Sequence, residues 1–376
     1  MIEVRKVQST RERRLFLTLP WTKYRKDPLW VPPLLKERKK ILDPARGPFF
    51  KDGTAELFLA WKGSTPVGTL CCAEDGENTR FKGRPECMIG FFECDNDYAT
   101  AQALFLKAEE WARSRGMSSM YGTYDLERED GRGVLVEGYD RPAPILCGHN
   151  PPYYAGFFEC FGFDLDFDDG LAYAVSIDLG SPQIKRVARL AATVRARKSF
   201  TVRSANMSDL DGEIDRIWRL QNKALEHLRG YIPYSRENIE AMVLPLRDLA
   251  DPELILFGEL DGEAVGWFPA VPNFNEILIR LNGLRYPWDY ARALRYRNTK
   301  PTGIAIKSVV LLPEYWDSGL IILLVDEMAR RAAARGYTWA DLSLTGAENA
   351  DTRNFALNIG ANVYKRYRFY RKSVSG

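Results

Sequence analysis

The sequence predicts an α/β protein made of two tandem domains, and three observations carry that prediction. The chain of 376 residues exceeds the roughly 250–300 residues at which a single core stops growing. The order of strand-patterned and helix-patterned segments in the first half restarts near Thr201. An internal repeat links the halves: ELFLAWKGSTPVG, ending at Gly68, matches ELILFGELDGEAVG, ending at Gly266. Each copy continues to a helix that closes Arg-Gly-apolar, at Arg115-Gly116-Met117 and Arg335-Gly336-Tyr337, and then to Gly162-Phe163 or Gly360-Ala361. The expected division is 1–180, a polar linker helix over 181–200, and 201–376.

In order, alternation over Ile2 to Val7 predicts a strand, and Ser9-Thr10 caps an Arg-rich helix that ends near Tyr24. A short amphipathic helix fits between Pro33 and Pro44. Strands follow over 55–61, 65–73 and 87–94, then a long helix that stops at Gly116. A strand over 118–125, a short helix around YYAGFFECFG and a strand over 170–178 complete the first half. After the linker come a strand at TVRSAN, helices over 209–227 and 235–250, strands in ELILFGEL and EAVGWFPA, and an insertion from about Asn273 to Pro301. IAIKSVVLLPE (304–314) predicts one continuous strand and SGLIILLVDEMARRAAARG a helix. Strand WADLSL, helix TRNFALNIG and strand VYKRYRFYRK close the chain.

With 53 Lys+Arg against 50 Asp+Glu the charge is balanced, so composition gives no reason to expect a nucleic acid partner. The six cysteines lack paired C-x-x-C spacing and there are two histidines; no metal site is expected, and the cysteines are read as buried free thiols in a reducing compartment. The N-terminus has no apolar signal core, and the apolar runs fall short of the ~18 residues a membrane span needs. A cytoplasmic protein is expected. His149, alone in a Pro-rich loop, is read as structural or solvated.

The chemistry-bearing stretch is Val309-Val310-Leu311-Leu312-Pro313-Glu314-Tyr315, then Ser318-Gly319 and an apolar helix beginning at Leu320. A strand that turns into a helix presents the free N–H groups and positive dipole end of the first helical turn, which suit a pyrophosphate. Gly319 allows close backbone approach, and Ser318 can cap the helix or donate to a phosphate. This stretch resembles the acyl-CoA-binding motif of the GNAT (acyl-CoA N-acyltransferase) superfamily, and Asn349, eleven residues before Gly360, resembles that superfamily's second motif. WVPP (30–33), GFFEC (90–94), NPPYY (150–154), NFNEILIRLNG (273–283) and YKRYR (364–368) together resemble a family of tandem GNAT-like proteins, some of whose relatives look like bacterial ceramide synthases.

The resemblance implies two GNAT-like domains, each a mixed, mainly antiparallel sheet flanked by helices. It implies acyl-CoA as cosubstrate, held by Leu311, Leu312, Ser318, Gly319, Leu320 and Asn349, and an amine acceptor, either a small molecule or a lipid such as a sphingoid base. The sequence departs from the superfamily pattern R/Q-x-x-G-x-G/A: Trp316 takes the place of the Arg or Gln, Ile321 that of the second small residue, and Asp317 adds negative charge. In the first half the matching stretch, Asp95-Asn96-Asp97, has no glycine. Ala356 and Phe158 stand where such enzymes often carry a tyrosine acid, so an acid must come from elsewhere, such as Tyr154, Tyr286 or Tyr370.

A proton acceptor for the attacking amine is expected among carboxylates. Asp341 alternates with apolar Ala340 and Leu342, Glu276 lies in the inserted segment, and Glu348 precedes Asn349; Glu276 ranks first, because a polar inserted segment suits acceptor recognition. Catalytic roles are thus expected at Glu276, Asp341 and Tyr154. The basic, aromatic stretch 21–40 suits packing of its Trp and Leu residues against the domain, an anionic membrane surface, or the gate of an apolar substrate channel. A scaffold that has lost its donor site and only binds a ligand is the alternative, and the basic cluster Arg292, Arg295, Arg297 and Lys300 leaves an aminoacyl-tRNA reading open. Oligomeric state is not legible.

Overall fold

The computed structural model describes residues 1–126, 132–227, 231–244, 247, 250–374. Two compact units emerge: Met1–Gly170 with Asn275–Thr299 and Lys365–Gly376, and Leu171–Phe274 with Lys300–Tyr364.

In chain order the first stretch comprises β1 (Ile2–Lys6), α1 (Thr10–Lys23), α2 (Leu35–Ile41), β2 (Thr54–Lys62), β3 (Thr65–Glu74), α3 (Gly76–Lys82), β4 (Cys87–Cys94), α4 (Tyr98–Arg113), β5 (Ser119–Gly122), β6 (Val134–Glu137), α5 (Tyr153–Cys160) and β7 (Asp164–Leu165). Next come β8 (Gly170–Ser176), α6 (Pro182–Arg197), β9 (Phe200–Ser204), α7 (Leu210–Leu225), α8 (Arg236–Val243), β10 (Ile255–Leu260) and β11 (Glu263–Pro272). The remainder is α9 (Asn275–Leu278), α10 (Pro287–Tyr296), β12 (Gly303–Ile306), β13 (Val310–Leu311), α11 (Leu320–Ala334), β14 (Trp339–Gly346), α12 (Ala350–Asn358), β15 (Asn362–Arg368) and β16 (Tyr370–Ser373). The second helix expected over 235–250 ends at Val243; residues 245, 246, 248 and 249 lie outside the described set.

In the first unit the sheet runs β1-β2-β3-β4-β5-β16-β7. It is antiparallel except for the β4/β5 pair. Period-two alternation along its strands supplies a core on each face. Phe58, Ala60, Leu70, Cys72 and Ile89 pack with Ala101, Leu104, Phe105 and Ala108 of α4. Leu57, Leu59, Cys71, Ala73 and Met88 pack with Phe16 and Leu17 of α1. Helix α1 starts where Ser9 and Glu12 form a capping box, and α4 where Asp97 accepts Ala99 N–H. Four cysteines are buried, while Cys147 is half-buried and Cys160 exposed, because α5 presents Cys160 to solvent.

In the second unit β8, β14, β12, β11, β10 and β9 are neighbours in that order, and β13 pairs with β11. One core joins α7, α11 and the sheet through Ile214, Ile217, Phe257, Trp267, Leu320 and Leu324. Helix α6 packs Val187 and Ala191 into this core, and Arg195 pairs with the buried Asp326 of α11 at 2.8 Å. The continuous strand expected over 304–314 is interrupted: β12 ends at Ile306, Ser308 takes φ +51°, and the chain resumes as β13. The closing strand is likewise split at Phe369. Arg366–Arg368 of β15 pair with β6 and Tyr370–Ser373 with β5.

Candidate active site

Each unit contains a parallel strand pair that separates part way along. In the first, β4 pairs with β5 only from Cys87↔Met120 to Ile89↔Gly122. Beyond that point Phe91 takes φ +47°, and two β4 residues oppose the single Leu70 of β3, a bulge that turns the strand end. A side chain at Gly90 would put its Cβ 1.7 Å from the Tyr124 carbonyl oxygen. Phe91 N–H instead donates to Asp125 Oδ1 at 2.7 Å, and Asp125 is paired with Arg38 at 2.7 Å.

The freed end of β4 carries Glu93. Tyr24 and Tyr154 hydroxyls both donate to its Oε2, each at 2.8 Å; Oε1 has no hydrogen-bond donor among the described residues. Burial pushes the Glu93 carboxyl up to about 7, against the pull of the two hydroxyls and of the Arg38 charge. Burial and the neighbouring Glu93 charge raise both phenols well above their usual range, so they stay protonated donors. Glu93, Arg38, Thr69, Phe91 and residues of α1 line a cleft of ≈ 10 Å³, about the space one water needs. Tyr24 is held by stacking on Trp30 (5.0 Å, 14°). His149 bonds Asp27 through Nε2 at 2.7 Å, and burial lowers its pKa.

Tyr154 also accepts Cys94 N–H at 2.8 Å, and Tyr153 donates to Cys94 C=O at 3.0 Å. The backbone groups at the strand end are therefore already engaged.

In the second unit β12 and β14 pair from Gly303↔Trp339 to Ile306↔Leu342, and the chain leaves β14 at Ser308. Asp341, fully buried, sits at this separation, paired with Lys307 at 2.9 Å and accepting from Tyr364 OH at 2.8 Å. Leu311 is the register equivalent of Cys94: each opposes the glycine that ends its repeat, Gly266 and Gly68. Its carbonyl likewise accepts an aromatic donor, Trp316 Nε1 at 3.2 Å. Leu312 N–H donates to Val265 C=O at 3.0 Å.

Gly319 has φ +85°, and an added Cβ would lie 2.7 Å from Val194 Cγ2. Ser318 Oγ accepts Leu320 N–H at 3.2 Å while donating to Tyr315 C=O at 2.6 Å. Asn349 caps α12 through Thr352 N–H at 3.0 Å. Glu276 lies half-buried on α9, in a segment that belongs to the first unit, and Glu348 is exposed. Tyr286 caps α10, and Tyr370 donates to Glu159 at 3.0 Å.

The structure thus groups Leu311, Ser318, Gly319 and Leu320 at one loop, and places Asp341 and Tyr154 each at a strand separation of its own unit. The sequence reading missed Glu93, Tyr24 and Lys307. The signal for Glu93 was a single acid within an apolar strand, GFFEC, since a buried carboxylate requires partners. Among the described residues no group of three or more His, Cys, Asp or Glu side chains could hold a metal ion, and no helix is long and apolar enough to cross a membrane.

A mixed, mainly antiparallel sheet whose fourth and fifth strands part beside a helix N-terminus, present twice, defines a tandem GNAT fold. A tandem GNAT protein from the clavulanic acid biosynthesis pathway superposes with a TM-score of 0.60 at 13% identity, over 100% of this chain and 99% of that one. A GCN5-related N-acetyltransferase from Sphaerobacter thermophilus gives 0.56 at 14% identity, over 100% and 96%. No family model matches the sequence. Two curated relatives extend over nearly the whole chain: a bacterial ceramide synthase of Caulobacter vibrioides, 29% identical over 376 residues (98% of this chain, 96% of the relative), and the protein YghO of Escherichia coli, 27% identical over 379 residues (99% and 95%).

Proposed function

We propose that this protein is an acyl-CoA-dependent N-acyltransferase that joins an acyl group to an amine, with a long-chain lipid amine such as a sphingoid base as acceptor class. The observation that carries the reading is Glu93: a carboxyl at the strand separation of a GNAT fold, pushed up to about 7 and oriented by two tyrosine hydroxyls. A general base works best with a pKa near the operating pH. The amine nitrogen attacks the thioester carbonyl, a carboxylate base of the kind Glu93 provides takes its proton, and the C–S bond breaks with CoA leaving as the thiolate. The name of the Caulobacter relative supports the lipid acceptor. A cytoplasmic location, with membrane contact through residues 21–40, belongs to the same reading.

The donor is proposed at the second-unit loop, on Leu311, Leu312, Ser318, Gly319, Leu320 and Asn349, with Asp341 as the carboxylate of that separation. Tyr154 is assigned the orientation of Glu93, and Glu276 a part in acceptor binding. Thermal-shift titration with CoA, acetyl-CoA and palmitoyl-CoA tests the donor. A ligand at a hundred times its Kd stabilises by about 2.7 kcal/mol, and a Gly319→Arg variant should lose that response. Absence of stabilisation by all three, together with no amide product from a long-chain amine, would sink the reading.

One observation favours a second reading, a ligand-binding scaffold without turnover. The strand-end carbonyls of Cys94 and Leu311 already hold aromatic donors, where a pantetheine arm would compete for them. Binding of a lipid amine without any CoA-dependent product would select it.

A further inference from the structure

Residues 21–40 hold their aromatic and aliphatic side chains half-buried or buried against the first unit. Trp21 meets Trp30 edge-on at 5.4 Å and bonds Asn282 through its indole N–H at 2.9 Å, and Trp30 stacks on Tyr24. What α2 leaves exposed is charge, mainly positive: Lys36, Lys39 and Lys40, with Glu37. Exposed apolar side chains lie close by on α10, where Trp288, Tyr290 and Leu294 are 61%, 52% and 64% exposed. On a helical wheel these each stand about 100° or more from the fully buried Asp289, with Arg295 on the same outer face.

Between α2 and the start of α10 runs an open groove of ≈ 600 Å³, lined by Leu35, Lys36, Lys39, Arg285, Tyr286 and Tyr290 among others. No carboxylate lines it. Lys36, Lys39 and Arg285 have no ion-pair partner among the described residues. Arg285 is held over the Trp21 and Tyr286 rings at 5.4 and 5.0 Å, and Tyr286 stacks on Trp288 at 4.7 Å.

We infer that this face of the first unit docks on an anionic bilayer, with Lys36, Lys39 and Arg285 receiving lipid phosphates and Trp288, Tyr290 and Leu294 entering the headgroup region. Unpaired cations beside exposed aromatic and aliphatic side chains match the two contributions to peripheral binding, electrostatic attraction to anionic lipid and burial of apolar surface at the interface. An exposed Trp and Leu beside the cations favour a bilayer over a soluble phosphate, which would use the charges alone. The inference extends the lipid-facing part of the proposed function from 21–40 to α10 and stands whether or not the chain acylates.

Co-sedimentation of the full chain with vesicles tests it, using phosphatidylcholine alone or phosphatidylcholine mixed with phosphatidylglycerol. Binding is expected only to the mixed vesicles and is expected to weaken as salt rises. Lys36→Glu/Lys39→Glu, both at exposed positions, should weaken it by tenfold or more, on the order expected for charges reversed at a lipid surface. Trp288→Ala/Leu294→Ala should reduce it without changing its salt dependence, and Arg11→Ala, an exposed cation elsewhere on the unit, should leave it intact. Equal binding to uncharged vesicles, retention by the charge-reversal variant, or full displacement by inorganic phosphate would overturn the proposal. Because the readout is vesicle binding, failure here leaves the acyl-transfer assay unaffected, and the reverse also holds.

Discussion

Tyr154 OH lies 2.8 Å from Glu93 Oε2 and at the same time accepts the backbone N–H of Cys94 at 2.8 Å. One side chain therefore fixes both the carboxylate and the edge of the strand that carries it. The carboxylate is poised near neutrality because burial outweighs the hydroxyls that favour its charged form.

Glu93 should make stability fall with pH. The folded carboxyl keeps its proton up to about 7, whereas the unfolded one releases it near 4.5. The folded state therefore binds more protons across that window, and stability is lost as pH rises through it. Glu93→Gln should remove the decline and be more stable than the parent at pH 8 by about 2 kcal/mol, a value discounted for partial solvent screening. Urea unfolding at pH 5 and pH 8 measures both slopes. In the acyl-transfer assay the same variant should lose roughly 10²–10⁴-fold in kcat and the rise of rate with pH through about 7.

Tyr154→Phe removes one of the hydroxyls that lower the Glu93 pKa and strands the Cys94 N–H. The titration of Glu93 should move to higher pH, seen as a shift of the rate profile or in carboxyl NMR. The variant should be less stable by about 1–3 kcal/mol for the unsatisfied donor. A profile unchanged in pH would show that Tyr154 does not act on Glu93.

Asp341 is buried against Lys307 and Tyr364. Removing one partner of a buried pair leaves an uncompensated charge, so Asp341→Ala and Lys307→Ala should each cost about 3–5 kcal/mol. The double variant should cost less than the sum, and a double-mutant cycle by denaturant unfolding reads the difference.

Trp316, 51% exposed, contributes little to the core, yet its indole N–H occupies the Leu311 carbonyl. Trp316→Phe should leave the melting temperature nearly unchanged. If the donor arm pairs with that carbonyl, the variant should tighten acyl-CoA binding about fivefold, the worth of roughly one hydrogen bond, measured by calorimetric titration.

Gly319 combines φ +85° with Val194 at 2.7 Å from its would-be Cβ. Gly319→Ala should cost about 1–2 kcal/mol from the left-handed backbone alone, and Val194→Ala in the same chain should recover only the steric part. Chemical denaturation of the two variants separates these contributions.

Much of the fold was legible because side-chain periodicity maps directly onto burial. The run Leu57-Phe58-Leu59-Ala60 is apolar throughout, and the structure covers both of its faces, with α1 on one and α4 on the other. The break at Ser308 was not legible, since IAIKSVVLL has the β-branched composition of one strand and carries no Gly or Asn to signal a positive φ. Asp341 could be singled out by its alternation with apolar neighbours, and Tyr154 as one of three tyrosines able to replace a missing acid. Their partners Lys307 and Glu93 could not, because each pairing depends on where strands part, which is a tertiary property.

The final strand β16 lies between β5 and β7 in the first unit's sheet, although more than two hundred residues separate Gly122 from its partner Tyr370. During synthesis that sheet must wait, with β5 exposing an open hydrogen-bonding edge, until Tyr370–Ser373 have left the ribosome. Contacts so distant in sequence form slowly. The first half made by itself should therefore be the aggregation-prone species, and supplying a 365–376 peptide in trans is the simplest way to close its sheet.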